Sequence, residues 1–410
     1  MQKLYNLLIR LTAFFLPVTG IFSSKMKSFI HGRKYVWDYL NKEINPQEQY
    51  IWFHVSSLGE YEQGLPIIQE MRKNFPEYKI LLSFFSPSGY EIRKNNPVAD
   101  ITIYLPLDTP KNAKKFIDLV QPKIAFFVKY DFWPNYLKQL KNKNIRTFLV
   151  SGIFREKQLF FKKSGKFYRK SLQAFEHFFV QDDNSQKLLQ SIGYSNVTIA
   201  GDTRFDRVYE ITLQQTNLPD IETFIDNKLC VIFGSTWAKD EELISSFINQ
   251  NKQDIRYIIV PHDIKEKNIA RLESSLKKKS VRYTKSTTTE IKNSEVFIID
   301  TIGLLTRIYR YAHMAYVGGG FGAGIHNILE PATYGLPVII GPEYEKFKEA
   351  RDLVSQKSCM VVTNQATFDQ TMNQLINNEE LRRKSGQNNS GYVEKQRGAT
   401  DKIISYLRKN

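Results

Sequence analysis

The chain has 410 residues, 42% hydrophobic and 24% charged, with 21 Gly and 15 Pro; this is more than one ordinary core holds, and it excludes collagenous, low-complexity and largely disordered chains. Two cysteines, Cys230 and Cys359, make no disulfide framework and no CxxC metal knuckle, which suits a reducing compartment. Lysine and arginine number 58 against 42 acidic residues, and the net charge of +16 favours an anionic membrane or a phosphorylated substrate; no RNP motif, zinc finger or basic heptad helix is present, so no nucleic acid is expected as partner.

The first predicted element is the apolar run 4–22 (LYNLLIRLTAFFLPVTGIF), interrupted by Arg10 and Pro17, and about the length that spans a bilayer. Lys3, Lys25, Lys27, Arg33 and Lys34 flank it, and such groups are drawn to anionic headgroups by roughly 1 kcal/mol each. A membrane anchor is expected over 1–24; the plainer alternative is an amphipathic helix packed on the protein. A cleaved signal peptide is disfavoured, because no small-x-small cleavage site follows. From residue 50, short β-branched or aromatic runs alternate with stretches long enough for crossover helices: 50–57, 78–85, 101–108, 123–131, 145–152, 177–182 and 197–202. A polar linker over 212–226 precedes a second series at 229–236, 255–262, 295–300, 314–320, 336–342 and 359–363, while 277–279 and 286–289 read as loop. This alternation predicts two Rossmann-like, doubly wound α/β domains with mostly parallel sheets, over 25–211 and 227–410, whose strand carboxyl ends face a shared cleft.

Three stretches carry candidate chemistry. In HVSSLGE (54–60) a strand meets a helix predicted from Leu58, with Glu60 in its first turn. Ser57-x-x-Glu60 is a capping-box pattern that requires no chemistry; the alternative is a carboxylate kept ionised by the helix N-terminus and ready to accept a hydroxyl proton. VGGGFGAGIHNILEPATYGLPVIIGP (317–342) holds five glycines among Gly318 to Gly324, and a helix from near Asn327 is expected to point its N-terminus at an anion. It is neither a P-loop nor an early GxGxxG fingerprint. Glu330 is a candidate for ribose hydroxyls or a solvated first-turn acid. GSTWAKDEE (234–242) offers Ser235 and Thr236 as candidate phosphate or donor contacts, which N-capping explains equally well. His262 ends a strand, no HExxH or other paired-ligand spacing exists, and Asp182-Asp183 reads as a helix cap, so no metal site is expected.

The order of motifs resembles that of the 3-deoxy-D-manno-octulosonic acid (Kdo) transferases of lipopolysaccharide synthesis. The resemblance rests on the apolar N-terminus, HVSSLGE, FWPN (132–135), GDTRFD (201–206), GSTW, Pro261-His262, DTIGLL (300–305) and the glycine-rich stretch, and so covers nearly the whole chain. It implies a GT-B fold anchored at the cytoplasmic face of the inner membrane, with anionic lipids as partners. It also implies inverting, metal-independent and cofactor-free transfer of Kdo from CMP-Kdo to lipid IVA. On this resemblance Glu60 is the general base, and Asp131 and Arg204 stand where the family assists the transition state. CMP contacts fall on Pro261, His262, Ile302, Gly303, Leu304, Asn327, Ile328, Leu329 and Glu330. Lys129-Tyr130-Asp131 replaces the family's common ETE, His262 an Arg, Leu304 an acid and Arg204 a Lys, and Arg and Lys grip phosphate differently. The rival readings are another GT-B transferase taking a UDP- or GDP-sugar, and a non-catalytic protein binding anionic lipid or nucleic acid.

Overall fold

Fourteen short parallel strands, all but one foreseen as apolar runs, build two sheets in the computed structural model, which describes residues 1–19, 23–214 and 217–409. The chain divides into unit 1, residues 1–207 with 397–410, and unit 2, residues 208–396. Strands β1 (Gln49–Val55), β2 (Tyr78–Phe84), β3 (Ile101–Tyr104), β4 (Ile124–Val128), β5 (Arg146–Gly152), β6 (His177–Val180) and β7 (Val197–Ile199) form the first sheet, in the order β3-β2-β1-β4-β5-β6-β7. Runs such as IWFHV and IAFFV are apolar on both faces because helices cover both sides of a parallel sheet. Chain order reverses between β1 and β4, so the loops leaving their carboxyl ends diverge and leave a crevice there.

Unit 2 repeats the plan with β8 (Cys230–Thr236), β9 (Arg256–Pro261), β10 (Ser280–Arg282), β11 (Val296–Ile298), β12 (Met314–Val317), β13 (Val338–Ile340) and β14 (Cys359–Val361), ordered β10-β11-β9-β8-β12-β13-β14. Its reversal lies between β8 and β12. The edge strand β10 was not foreseen, because only Val281 among its three residues is apolar.

The domain boundaries differ from expectation at both ends of unit 2. Within the expected linker 212–226, the helix Pro219–Ile225 buries Ile221 and Phe224 in the unit 2 core; residues 215 and 216 lie outside the described residues. The last helix, Ala399–Lys409, returns to unit 1, where Ala399, Ile403, Ile404 and Leu407 join the core beside Ile67 and Ile68. Asp206 fixes its start by accepting the backbone N–H groups of Gly398 and Thr400, each at 2.7 Å.

The N-terminus also corrects the sequence reading. Gln2–Thr19 is one helix, but among the described residues no helix is long and apolar enough to cross a membrane, and a membrane-anchor helix is not supported; residues 20–22 of the apolar run lie outside the described residues. The run carries polar groups that face the body of unit 1. Tyr5 donates its hydroxyl to Asp108 Oδ2 at 2.7 Å, and Gln2 Nε2 donates to Asn135 Oδ1 at 3.1 Å. Asn135 Nδ2 in turn donates to Asn6 Oδ1 at 3.1 Å. Leu4, Leu7, Leu8, Leu11, Phe14, Phe15 and Val18 remain exposed.

Candidate functional site

In unit 1 the candidate groups gather at the β1/β4 reversal. The helix Leu58–Asn74 begins directly after β1 and carries Glu60, which is buried. The capping box is not formed in its usual sense: Ser57 makes no side-chain cap to a backbone N–H and instead donates its hydroxyl to the Glu60 carboxylate. Lys129, directly after β4, lies in the left-handed region at φ +71°, and this turn brings Asp131 back towards β1. There Asp131 Oδ2 accepts from Ser56 Oγ at 2.5 Å and lies 2.8 Å from His54 Nε2. Burial pushes the Asp131 carboxyl up, but His54 and the hydrogen bonds from Ser56 and Trp133 outweigh it and hold the group below the usual aspartate value. Tyr130 sits among these groups: burial raises its pKa first, and the charges of Glu60 and Asp131 raise it further.

Arg204, the first residue of the helix Arg204–Leu213, is held against Asp202 by its Nε at 2.9 Å and NH2 at 2.8 Å, both to Oδ2. Gln63 Nε2, one turn beyond Glu60, donates to Asp202 Oδ1 at 3.0 Å and ties that pair to the helix bearing Glu60. Asp202 is buried, which raises its carboxyl, yet the Arg204 charge and its hydrogen bonds bring the net shift downward. His54, Ser56 and Asp202 were not picked out from the sequence. His54 and Ser56 lie in the quoted HVSSLGE, but their partner Asp131 is more than seventy residues away.

In unit 2 the groups lie at the carboxyl ends of β11, β9, β8 and β12, which are neighbours in that order. A register shift between Gly234 and Thr236, with Ser235 at φ +54°, bends the end of β8. Thr236, a candidate phosphate contact or plain cap from the sequence, is buried, and its hydroxyl donates to Glu241 Oε1 at 3.1 Å. Asp240, which sequence reasoning missed, accepts at Oδ2 from the backbone N–H of Trp237 at 2.9 Å and of Gly319 at 3.0 Å, and at Oδ1 from Tyr316 Oη at 2.6 Å. One carboxylate thereby joins the β8 turn to the glycine-rich loop.

That loop is not an open row of peptide nitrogens. Gly318, Gly322, Gly324, Ile325 and His326 all donate their N–H groups to carbonyls within unit 2. A side chain at Gly320 would fall 2.6 Å from Gly341 Cα, so this glycine serves close backbone packing. The helix expected from Asn327 begins at Leu329 and spans only Leu329–Thr333, with Ile328 before it. Asn327 accepts from Leu329 N at 3.1 Å and donates from Nδ2 to Glu330 Oε1 at 3.1 Å. Thr306 Oγ1 donates to Glu330 Oε2 at 2.9 Å, which brings the segment after β11 beside Glu330. There Ile302 is 79% exposed and Gly303 turns at φ +93° just before Leu304. Pro261 closes β9, and His262 donates its N–H to Thr236 O at 2.9 Å.

Each unit is a doubly wound parallel sheet with polar groups at its switch point, and solved structures agree on the fold. UDP-GlcNAc 2-epimerase from Neisseria meningitidis superposes with a TM-score of 0.62 at 16% identity, over 88% of this chain and 100% of that one. MurG from Acinetobacter baumannii gives 0.56 at 8% identity over 88% and 100%. Residues 32–207 match the family model described as 3-deoxy-D-manno-octulosonic-acid transferase (kdotransferase). The chain is 26% identical over 386 residues to the 3-deoxy-D-manno-octulosonic acid transferase of Chlamydophila psittaci, covering 88% of this chain and 87% of that protein. With the Haemophilus influenzae transferase it shares 25% over 378 residues, 88% of this chain and 87% of the relative. It is 27% identical over 401 residues to a bifunctional glycosyltransferase/methyltransferase of Fusobacterium nucleatum, covering 91% of this chain and only 59% of that protein's length. These matches support a Kdo transferase and indicate a glycosyltransferase enzyme.

Proposed function

We propose that the chain transfers Kdo from CMP-Kdo to lipid IVA, with inversion and without a metal, on the cytoplasmic face of the inner membrane. The observation that carries this reading is the arrangement at the β1/β4 reversal, where Glu60 is held by Ser57 rather than locked to its own helix backbone. As the acceptor hydroxyl attacks the anomeric carbon of Kdo, Glu60 takes its proton, and the bond to the CMP phosphate oxygen breaks on the opposite side. Asp131 and Arg204 flank the base as groups that orient the substrates and balance charge. Unit 2 takes the nucleotide at Pro261, His262, Ile302 to Leu304 and Asn327 to Glu330, with Glu330 accepting from the ribose hydroxyls. Ser235 and Thr236 are candidate donor contacts at the bent end of β8.

Attachment to the membrane is read as in-plane rather than spanning. The outward residues Leu4, Leu7, Leu8, Leu11, Phe14, Phe15 and Val18 supply an apolar face, and a net charge of +16 favours anionic headgroups and a phosphorylated acceptor. The direct test incubates the purified protein with CMP-Kdo and lipid IVA and reads the products by mass. Acceptor carrying one or more added Kdo residues is expected; unmodified lipid IVA with CMP-Kdo intact or merely hydrolysed overturns the reading.

A further inference from the structure

We propose that His262 is the stacking surface for the nucleobase of the donor, and that Trp237 and His326 are positioning residues that set the plane of its ring. This deepens, and rests on, the reading that unit 2 binds a cytidine nucleotide. Three rings from three loops meet at the carboxyl ends of β8, β9 and β12. Trp237 and His326 lie nearly in one plane, 13° apart with centroids at 6.3 Å, and are joined edge to edge by Trp237 Nε1 donating to His326 Nε2 at 2.9 Å. His262 lies over both. Its centroid is 4.4 Å from each, with planes 29° from Trp237 and 26° from His326. The two lower rings thus form a floor, and the imidazole of His262 rests on it while the residue remains exposed.

The floor is fixed and uncharged. Accepting from Trp237 requires His326 Nε2 to be unprotonated, and burial, reinforced by the neighbouring His262, pushes His326 down to about 4 despite the nearby Asp240. Burial also lowers His262, against the pull of Asp263. Asp240 secures the backbone of Trp237 and of Gly319 together, so the loops that carry the floor are braced from beneath. A neutral, oriented imidazole with a solvent-facing side is a surface on which a flat base stacks without needing a charge partner. Its place between β11 and β8 in the sheet order suits a ligand whose base and phosphate lie over successive strand ends.

The test is calorimetric titration of the whole chain with CMP and with ribose 5-phosphate, which lacks the base. The wild type is expected to prefer CMP. His262→Ala should weaken CMP about tenfold and leave ribose 5-phosphate unchanged, since stacking on one base is worth about that factor or more. His262→Phe should restore most of the preference, and Trp237→Leu should reduce it while the melting temperature holds within a few degrees. A wild type that prefers CMP together with a His262→Ala variant that keeps the whole preference overturns the stacking role and leaves the nucleotide reading standing. A wild type with no preference for CMP over ribose 5-phosphate overturns the nucleotide reading, and the stacking role with it.

Discussion

The two ring nitrogens of His54 bridge Ser83 and Asp131: Nδ1 lies 2.9 Å from Ser83 Oγ and Nε2 lies 2.8 Å from Asp131 Oδ2. Trp52 Nε1 donates to Ser83 Oγ at 2.8 Å; an ionised Asp131 only accepts, so the His54 ring nitrogen facing it, Nε2, carries a proton. Trp133 Nε1 is 2.9 Å from the same Nε2, but that nitrogen cannot accept while it donates, so the indole N–H belongs to the shared carboxylate. His54 is fully buried, and its replacement leaves Asp131 with burial but without its main counterweight.

His54→Leu should therefore raise the Asp131 pKa. Ionised Asp131 is the working form in the proposed reaction, so the acid limb of the kcat/KM profile should move to higher pH, with about 1–3 kcal/mol lost from stability for the unmatched polar groups. An unmoved profile with lowered stability would reduce His54 to a packing role.

Replacing Glu60 by Gln keeps its size and removes its capacity to take a proton. Transfer should fall by about 10²–10⁴, with the melting temperature and CMP affinity unchanged. Turnover within a few-fold of the wild type would show that the Ser57–Glu60 contact only shapes the start of the helix.

The Asp202–Arg204 pair predicts an asymmetric pair of substitutions. Arg204→Ala strands a buried carboxylate and should cost about 3 kcal/mol in urea unfolding, whereas adding Asp202→Asn should recover part of that loss. Additive effects in the double variant would mean the two side chains do not act together.

Much of this arrangement was legible beforehand, for reasons that differ by element. The central strands announce themselves because burial on both faces demands runs such as IWFHV and CVIFG. HVSSLGE announces a strand-to-helix turn with Glu60 in the first turn of the helix, since strand, serines and acid are contiguous. The partners that give those residues their geometry are distant in the chain: Asp131 for His54, Asp202 for Gln63 and Gly319 for Asp240. The N-terminal helix misled for a related reason. Its apolar residues are visible in order, but the contacts of Gln2, Tyr5 and Asn6 with Asp108 and Asn135 decide which side faces the protein.

The burial of Asp108 makes stability respond to pH. Burial pushes its carboxyl up to about 7, against the hydrogen bonds from Tyr5, Asn135 and Tyr136, which pull it down. A folded pKa above the unfolded value of 3.8 means that the native state holds the proton more tightly. This group's contribution is thus fully present below about pH 4, declines as pH rises towards about 7 and is level above. Urea unfolding of Asp108→Asn across pH 5 to 8 should lack that decline, and curves parallel to wild type would refute the assignment.

Deleting the first helix would strip Asp108 and Asn135 of partners, so membrane attachment is better probed on its outer face. Leu8→Glu with Phe14→Glu should reduce flotation with phosphatidylglycerol vesicles severalfold while leaving the melting temperature within a few degrees. Undiminished flotation would assign attachment to another surface.

The return of Ala399–Lys409 to the first unit sets an order of events during biosynthesis. The ribosome must complete every residue of the intervening unit before the piece that covers Ile67 and Ile68 exists. Until then a nascent chain carries an unsealed apolar flank, open to chaperones and to mispairing with other copies. A fragment ending near residue 207 therefore lacks part of its own interior, and the early half of this enzyme matures last.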